Sequence, residues 1–335
     1  MLFLEKGCYC METNPIYSQI KAFRDKEMSH GWSSSEQLNS FHDDIMRQTL
    51  HIAAKSIHSR LGPLPSPFCF FVMGSAGRAE QGIWSDQDHG IIYKEANDPH
   101  AQDYFLALGK EISDGLVETG YKKCDGNVMA SNPFWCKSFE DWNGQLKNWV
   151  VDASWESIRH LLTFIDGRCL YGEDFISPLK HSLYPFIHQE HLLKRILENT
   201  MRIKKGVGVL GQFLVDTHGP MSGSLNLKET AIFPYVNAAR VLAIRESSLE
   251  TSTFKRLQLL PDPVSRGKFA EQFLNLQSYR LKYGIHTGYD SGHYLAIEKL
   301  AKPQRKVLKE ILRDGINLFD YVRRLVEKGD QYGHE

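Results

Sequence analysis

Apolar positions divide the chain into two regions with different periodicities. Leu38, Phe41 and Ile45 recur at helical spacing behind Ser33-Ser34-Ser35-Glu36, which contains an S-x-x-E capping box. The helix they predict runs to Gly62-Pro63-Leu64-Pro65-Ser66-Pro67, a stretch no helix crosses. Phe68 to Met73 is almost wholly apolar and predicts a buried strand, broken by Gly74-Ser75-Ala76-Gly77. A second strand is expected over Gln87 to Tyr93, with Trp84-Ser85 in the turn before it. Phe105, Leu108, Ile112 and Leu116 place a helix over 101–119, Tyr121 to Met129 makes a weaker strand, and a helix is expected from Trp155 to about Cys169.

Beyond Pro178 and Pro185 the pattern is helical throughout. Leu192, Leu193, Ile196, Leu197 and Met201 define one helix ending at Gly206. Pro234 suits the first turn of another, Phe269, Phe273 and Leu276 mark a third, and Pro303 opens a long last one through Val326. No strand is expected in this half. The fold class read from this alternation is α+β, a mixed sheet with flanking helices followed by a C-terminal helical bundle. The expected division is an N-terminal helical segment (1–60), a sheet domain (61–175) and a helical domain (176–335).

The 335 residues are long enough for about two domains, and 42% hydrophobic with 24% charged residues is an ordinary globular composition. Lys plus Arg (40) equal Asp plus Glu (40), which argues against a dedicated duplex nucleic-acid binder. No apolar run reaches bilayer length and the N-terminus lacks a basic leader, so neither a membrane span nor a signal peptide is expected. The scattered cysteines (Cys8, Cys10, Cys69, Cys124, Cys136, Cys169) suit reduced thiols in a cytoplasmic protein. Cys8 and Cys10 have no second pair at zinc-finger spacing.

Candidate chemistry concentrates in two blocks eleven positions apart, counted from Ser75 to Asp86. In the first, Gly74 and Gly77 let backbone approach a ligand, a helix start offers free amides to an anion, Ser75 adds a hydroxyl and Arg78 a fork for phosphate oxygens. In the second, Asp86 and Asp88 alternate on a strand, so their Cβ atoms share a face about 6–7 Å apart. Paired hard oxygen ligands suit Mg²⁺ or Mn²⁺. Either block alone is unspecific; together they describe a metal-assisted triphosphate cradle.

Gly74-Ser75-x-x-Arg78 with Asp86-x-Asp88 resembles the signature of the DNA polymerase β nucleotidyltransferase superfamily. More closely, Gly74-Ser75-Ala76-Gly77-Arg78-Ala79-Glu80-Gln81 with Ser85-Asp86-Gln87-Asp88 resembles a bacterial nucleotidyltransferase family whose members are often fused to CBS and cyclic-nucleotide-binding domains. That family is related to the uridylyltransferase of nitrogen signalling. The resemblance continues through 124–135, Phe164-Ile165-Asp166-x-Arg168 and Gly223-Ser224-Leu225-Asn226-Leu227-Lys228 to Arg240, and covers about residues 35 to 325.

The sequence has no room for CBS repeats, so a stand-alone version is expected. The resemblance implies transfer of AMP or UMP from a nucleoside triphosphate to a protein or small-molecule acceptor. Metal would sit on Asp86 and Asp88, nucleotide on Gly74, Ser75, Gly77 and Arg78, and Asp166 would belong to the catalytic group. No third metal-binding acid is evident: Asp125 and Asp152 are candidates, and Asp166 falls on a predicted helix, where packing against Arg168 is an equal explanation. The alternative is a non-catalytic nucleotide-binding regulator or protein-interaction module. Glu80 reads as a supporting partner, and Lys228 and Arg240 as charges of which one faces the cleft. Phe134-Trp135 and Trp142 read as packing, and His286 to His293 as a polar loop. Gly206-Val207-Gly208-Val209-Leu210-Gly211 fits G-x-G-x-x-G but follows a predicted helix, which rules against a dinucleotide site.

Overall fold

The computed structural model describes residues 15–95, 98–289 and 291–332, with side chains to 328; Cys8 and Cys10 fall outside them. The first helix, α1, spans Pro15–Ser29. The second, α2, spans Ser35–Leu61 and is capped by Ser34, whose side chain accepts from the amide of Gln37. The capping serine is thus one residue later than expected, because Ser34-x-x-Gln37 is itself a capping-box pattern. Gly62, at φ 86°, ends the helix by donating its amide to His58 O (2.9 Å).

Strand β1 (Phe68–Val72) runs into α3 (Gly74–Gly77), a single turn. Then come β2 (Asp86–Gln87), β3 (His89–Tyr93), α4 (Ala101–Glu118), β4 (Lys122–Lys123), β5 (Cys136–Ser138), α5 (Phe139–Asp152), α6 (Trp155–Ile165) and β6 (Arg168–Gly172). The main sheet has the order β5-β3-β1-β6, with β1 antiparallel to both neighbours and β3 parallel to β5. A separate parallel pair joins β2 to β4.

Alternation along β1 supplies both cores. Phe68, Phe70 and Val72 pack with Ile45, Leu50 and Ile57 of α2 and with Phe105, Leu108 and Ile112 of α4. Cys69, Phe71 and Met73 face the other way, onto Trp135, Trp142, Trp149, Leu161 and Phe164. That second core continues without a break into the helical half. The tryptophans are packing residues, as the sequence suggested: Trp135 and Trp142 are buried.

The helical half comprises α7 (Ile176–Gln189), α8 (Leu193–Thr200), β7 (Ser224–Asn226), a π-helical turn over Lys228–Ile232, α9 (Phe233–Arg245), α10 (Thr253–Leu257), α11 (Pro263–Tyr283), β8 (Tyr294–Ala296) and α12 (Lys302–Tyr332). Helix α9 is its axis, with Tyr235, Val236, Ala238, Ala239, Val241, Leu242 and Ile244 all buried. Pro185 lies inside α7, not at its boundary. The expectation of no strand here fails, since β7 pairs antiparallel with β8. These are three-residue strands 68 positions apart at Asn226 and Tyr294, too short to show a period and paired too remotely for local pattern to reveal. Gly208 and Gly211 form a tight turn (Gly208 N to Gln212 O, 2.8 Å) that projects Val209 and Leu210 into solvent, with no strand–helix unit around it. No helix among the described residues is long and apolar enough to cross a membrane.

Candidate active site

The two sequence blocks meet because β1 and β3 are neighbours. The Met73 amide donates to Asp88 O (2.8 Å), fixing the turn after β1 over the residue that links β2 to β3. Gly74 adopts φ +54°, and a Cβ there would stand 2.4 Å from Asp88 Oδ2. Only glycine allows the turn to lie that close to the carboxylate. Asp86 is on β2, in register with Lys122 of β4.

A cleft of about 280 Å³ opens above them, lined by residues of both halves. Gly74, Ser75, Arg78, Asp86 and Asp88 come from the sheet side, and Lys228, Phe233, Arg240, Arg280, Tyr289 and His293 from the helical side. Burial and the adjacent Asp86 carboxylate push Asp88 up to about 6, and the nearby Cys124 thiol, Lys228 and Arg78 oppose that rise. A carboxylate pair held together against its own repulsion is the donor set of a hard divalent cation, so the residues fit one. Asp86, Asp88 and Cys124 each place a ligand atom within 4.8 Å of the other two.

Several expected site residues have other work. Gly77 is absent from the lining: it is buried, and a Cβ there would meet Asp166 O at 2.1 Å and Val72 O at 2.9 Å. Its smallness serves packing of α3 on the end of α6. Arg78 lines the cleft, but its fork is engaged inward, with Nε donating to Glu80 Oε2 (2.8 Å) and Nη1 to Asp166. The two-pronged grip on phosphate expected of it is therefore taken up by protein carboxylates.

Asp166 is wholly buried and does not line the cleft. It caps the C-terminal end of α6, which stops four residues short of the expected Cys169 because β6 begins at Arg168. Arg168 turns away from it, to Asp43 (2.6 Å) and Ala76 O. Asp166 instead accepts from Arg78, from Nε and Nη2 of Arg240 (3.0 and 2.6 Å) and from Arg256 Nη1 (2.6 Å). Burial opposes its ionisation, but Arg240, Arg78 and Arg256 outweigh that and hold the carboxyl well below the usual carboxylate range.

Glu80 supports the same junction, accepting from Arg78 and from the Thr253 amide (2.8 Å), while its carbonyl accepts from Arg280 Nη1 (2.8 Å). Of the other acids weighed, Asp125 lines the cleft and pairs with Lys122 (3.3 Å), whereas Asp152 is occupied by Ser154 and Ser157.

Sequence reasoning reached only part of the far wall. Both Lys228 and Arg240 face the cleft, where only one was expected. Lys228 opens the π-helical turn and forms no salt bridge among the described residues, unlike Arg78 and Arg240. Arg280 is 7% exposed and its Nε has no partner among the described residues. His293 and Tyr289 belong to the segment read as a polar loop; burial, then Lys228 and Arg280, push His293 down to about 3, so it is neutral. Trp84 stands against Tyr289 edge-to-face, ring centroids 5.3 Å apart. Only a fold bringing residue 86 to residue 293 shows these together.

A small mixed sheet whose first strand ends in a Gly-Ser turn over two aspartates, with a helical region closing the cleft, defines a nucleotidyltransferase domain followed by a helical domain. The chain belongs to the family described as "Putative nucleotidyltransferase DUF294", whose model matches residues 24–156, and residues 190–326 match the companion model "Putative nucleotidyltransferase substrate binding domain". No curated protein matches the chain.

Proposed function

We propose that this enzyme moves a nucleoside monophosphate, AMP or UMP, from a nucleoside triphosphate to a protein or small-molecule acceptor, releasing pyrophosphate. The observation that carries the reading is the closure of Gly74 over Asp88, beside Asp86, in a cleft whose opposite wall carries Lys228 and Arg280. Asp86 and Asp88 would hold Mg²⁺ or Mn²⁺, which when bound neutralises phosphate charge and sharpens the attacking and leaving oxygens.

The chain supplies the rest. Lys228, which forms no salt bridge among the described residues, and Arg280 line the wall that would face the developing charge of the departing pyrophosphate. Ser75 offers a hydroxyl donor beside the turn. Asp166 is a positioning residue: it orients Arg78 and Arg240 without reaching the cleft.

The test is incubation with each α-labelled nucleoside triphosphate, Mg²⁺ or Mn²⁺, and a cell lysate as source of acceptor. Label should pass to an acceptor, and Asp86→Asn or Asp88→Asn should remove more than the ~100-fold that loss of an outer-shell partner costs. Turnover surviving in both variants, or tight triphosphate binding with no transfer, would discard the reading in favour of a nucleotide-binding regulator.

A further inference from the structure

The third member of the acidic cluster is a thiol. Cys124 directly follows β4, whose Lys122 and Lys123 pair in parallel with Asp86 and Gln87. One step further along that register brings Cys124 level with Asp88. The chain then turns back at once, the Asn127 amide donating to Cys124 O (3.0 Å) with Asn127 in the left-handed region at φ 54°. The thiol is therefore placed by backbone pairing on one side and by a closed turn on the other.

Its Sγ and one carboxylate oxygen from each aspartate lie within 4.8 Å of one another. Ligands bound to one ion at about 2.0–2.3 Å can stand no more than about 4.6 Å apart, so small side-chain rotations bring all three onto a single ion. Arg280 brings a cation to the same cleft: it lines it while buried to all but 7%, and its Nε has no partner among the described residues.

From this we infer that Cys124 is the third protein ligand of the ion held by Asp86 and Asp88, and that the mixed oxygen–sulfur set selects Zn²⁺ or Co²⁺ over Mg²⁺. The inference rests on the transferase reading only for the presence of an ion at the aspartate pair. Thiolate sulfur is a soft donor that a hard, strongly hydrated Mg²⁺ accepts poorly, whereas the later divalent ions accept it readily. On coordination the S–H bond breaks, its proton passes to buffer, and the sulfur lone pair forms the S–metal bond; nothing is oxidised or reduced. Alkylation or oxidation of Cys124 then competes directly with the metal.

Two readouts independent of turnover test this on the full chain. Co²⁺ added to metal-free protein should give an intense near-ultraviolet thiolate-to-metal band together with weaker visible ligand-field bands. Cys124→Ser should lose the first and keep the second. In the wild type, Zn²⁺ or Co²⁺ at ten times its Kd should slow iodoacetamide labelling of Cys124, read by peptide mass, by about tenfold. Mg²⁺ at the same concentration should not, and Asp88→Asn should abolish the protection.

Visible bands without the near-ultraviolet band in the wild type would place the ion on the aspartates alone, overturning the sulfur ligand while leaving the transferase reading intact. Equal protection by Mg²⁺ would overturn the selectivity. A charge-transfer band and protection in a protein that transfers no label would uphold the ligand and remove the transferase reading.

Discussion

Single carboxylates and imidazoles in this protein carry disproportionate electrostatic weight. Asp166 answers three arginines from a fully buried position, so Asp166→Asn leaves uncompensated cations in the core. We expect a loss of about 3–5 kcal/mol in urea unfolding, with label transfer falling further than stability alone explains. Its folded pKa is depressed, so its contribution is complete above the unfolded value of about 4 and is lost as pH falls below that.

His42 behaves analogously at higher pH. Its ring lies between Tyr121 Oη (2.8 Å) and Gly82 O (2.9 Å); since a carbonyl only accepts, Nε2–H donates to Gly82 and Nδ1 accepts from Tyr121. Burial, then Arg24, push it down to about 3. The unfolded chain therefore binds a proton that the folded one refuses, and stability present above about 6.5 should fall by up to ~1.4 kcal/mol per pH unit below it. The urea midpoint compared at pH 7 and pH 5 should drop less in His42→Gln than in wild type; an equal drop would assign the pH dependence elsewhere.

Two glycines of one short element separate chemistry from packing. Gly77→Ala drives a methyl group into Asp166 O and should cost at least about 1–3 kcal/mol, seen as a lower melting temperature. Gly74→Ala meets the Asp88 carboxylate and keeps a strained φ worth about 1–2 kcal/mol, so we expect label transfer to collapse at a modest cost in melting temperature. If both variants melt and lose activity in parallel, the distinction between them fails.

At this scale the limits of sequence reading also show. Strand β1 and helices α2 and α4 were legible because each carries a long apolar period. Strand β6 is missed, its first two residues falling at the end of the expected helix: of Arg168, Cys169, Leu170, Tyr171 and Gly172 only Leu170 is buried, and its pairing with β1 is roughly a hundred residues removed. The Gly-Ser turn and Asp86-x-Asp88 were legible because each adjoins an apolar strand, the turn directly after β1 and the aspartates directly before β3. Cys124, Arg280 and His293 were not, since no local pattern records a register between short strands or a wall built two hundred residues away.

The molecule as a whole is tied across its middle. The core that begins under Phe71 continues through α9 to Val326, and Arg240 and Arg256 of the helical half end on Asp166 of the first. Thermal unfolding should accordingly be one transition, with tryptophan fluorescence, which reports the first half, and far-ultraviolet circular dichroism giving coincident curves. Two resolved transitions would show the halves to be energetically separate. A neutral formal charge with five cations and four acids lining one cleft means that the charge is concentrated by folding, not by composition.

The ionic knot at Asp166 bears on how this architecture can be recombined. A chimera taking residues through Asp166 from this chain and the remainder from a relative inherits a carboxylate with two vacancies unless the donor brings arginines at the places of Arg240 and Arg256. A graft of the helical half should therefore move α9 and α10 as one cassette that carries both arginines, with the crossover point placed outside the knot.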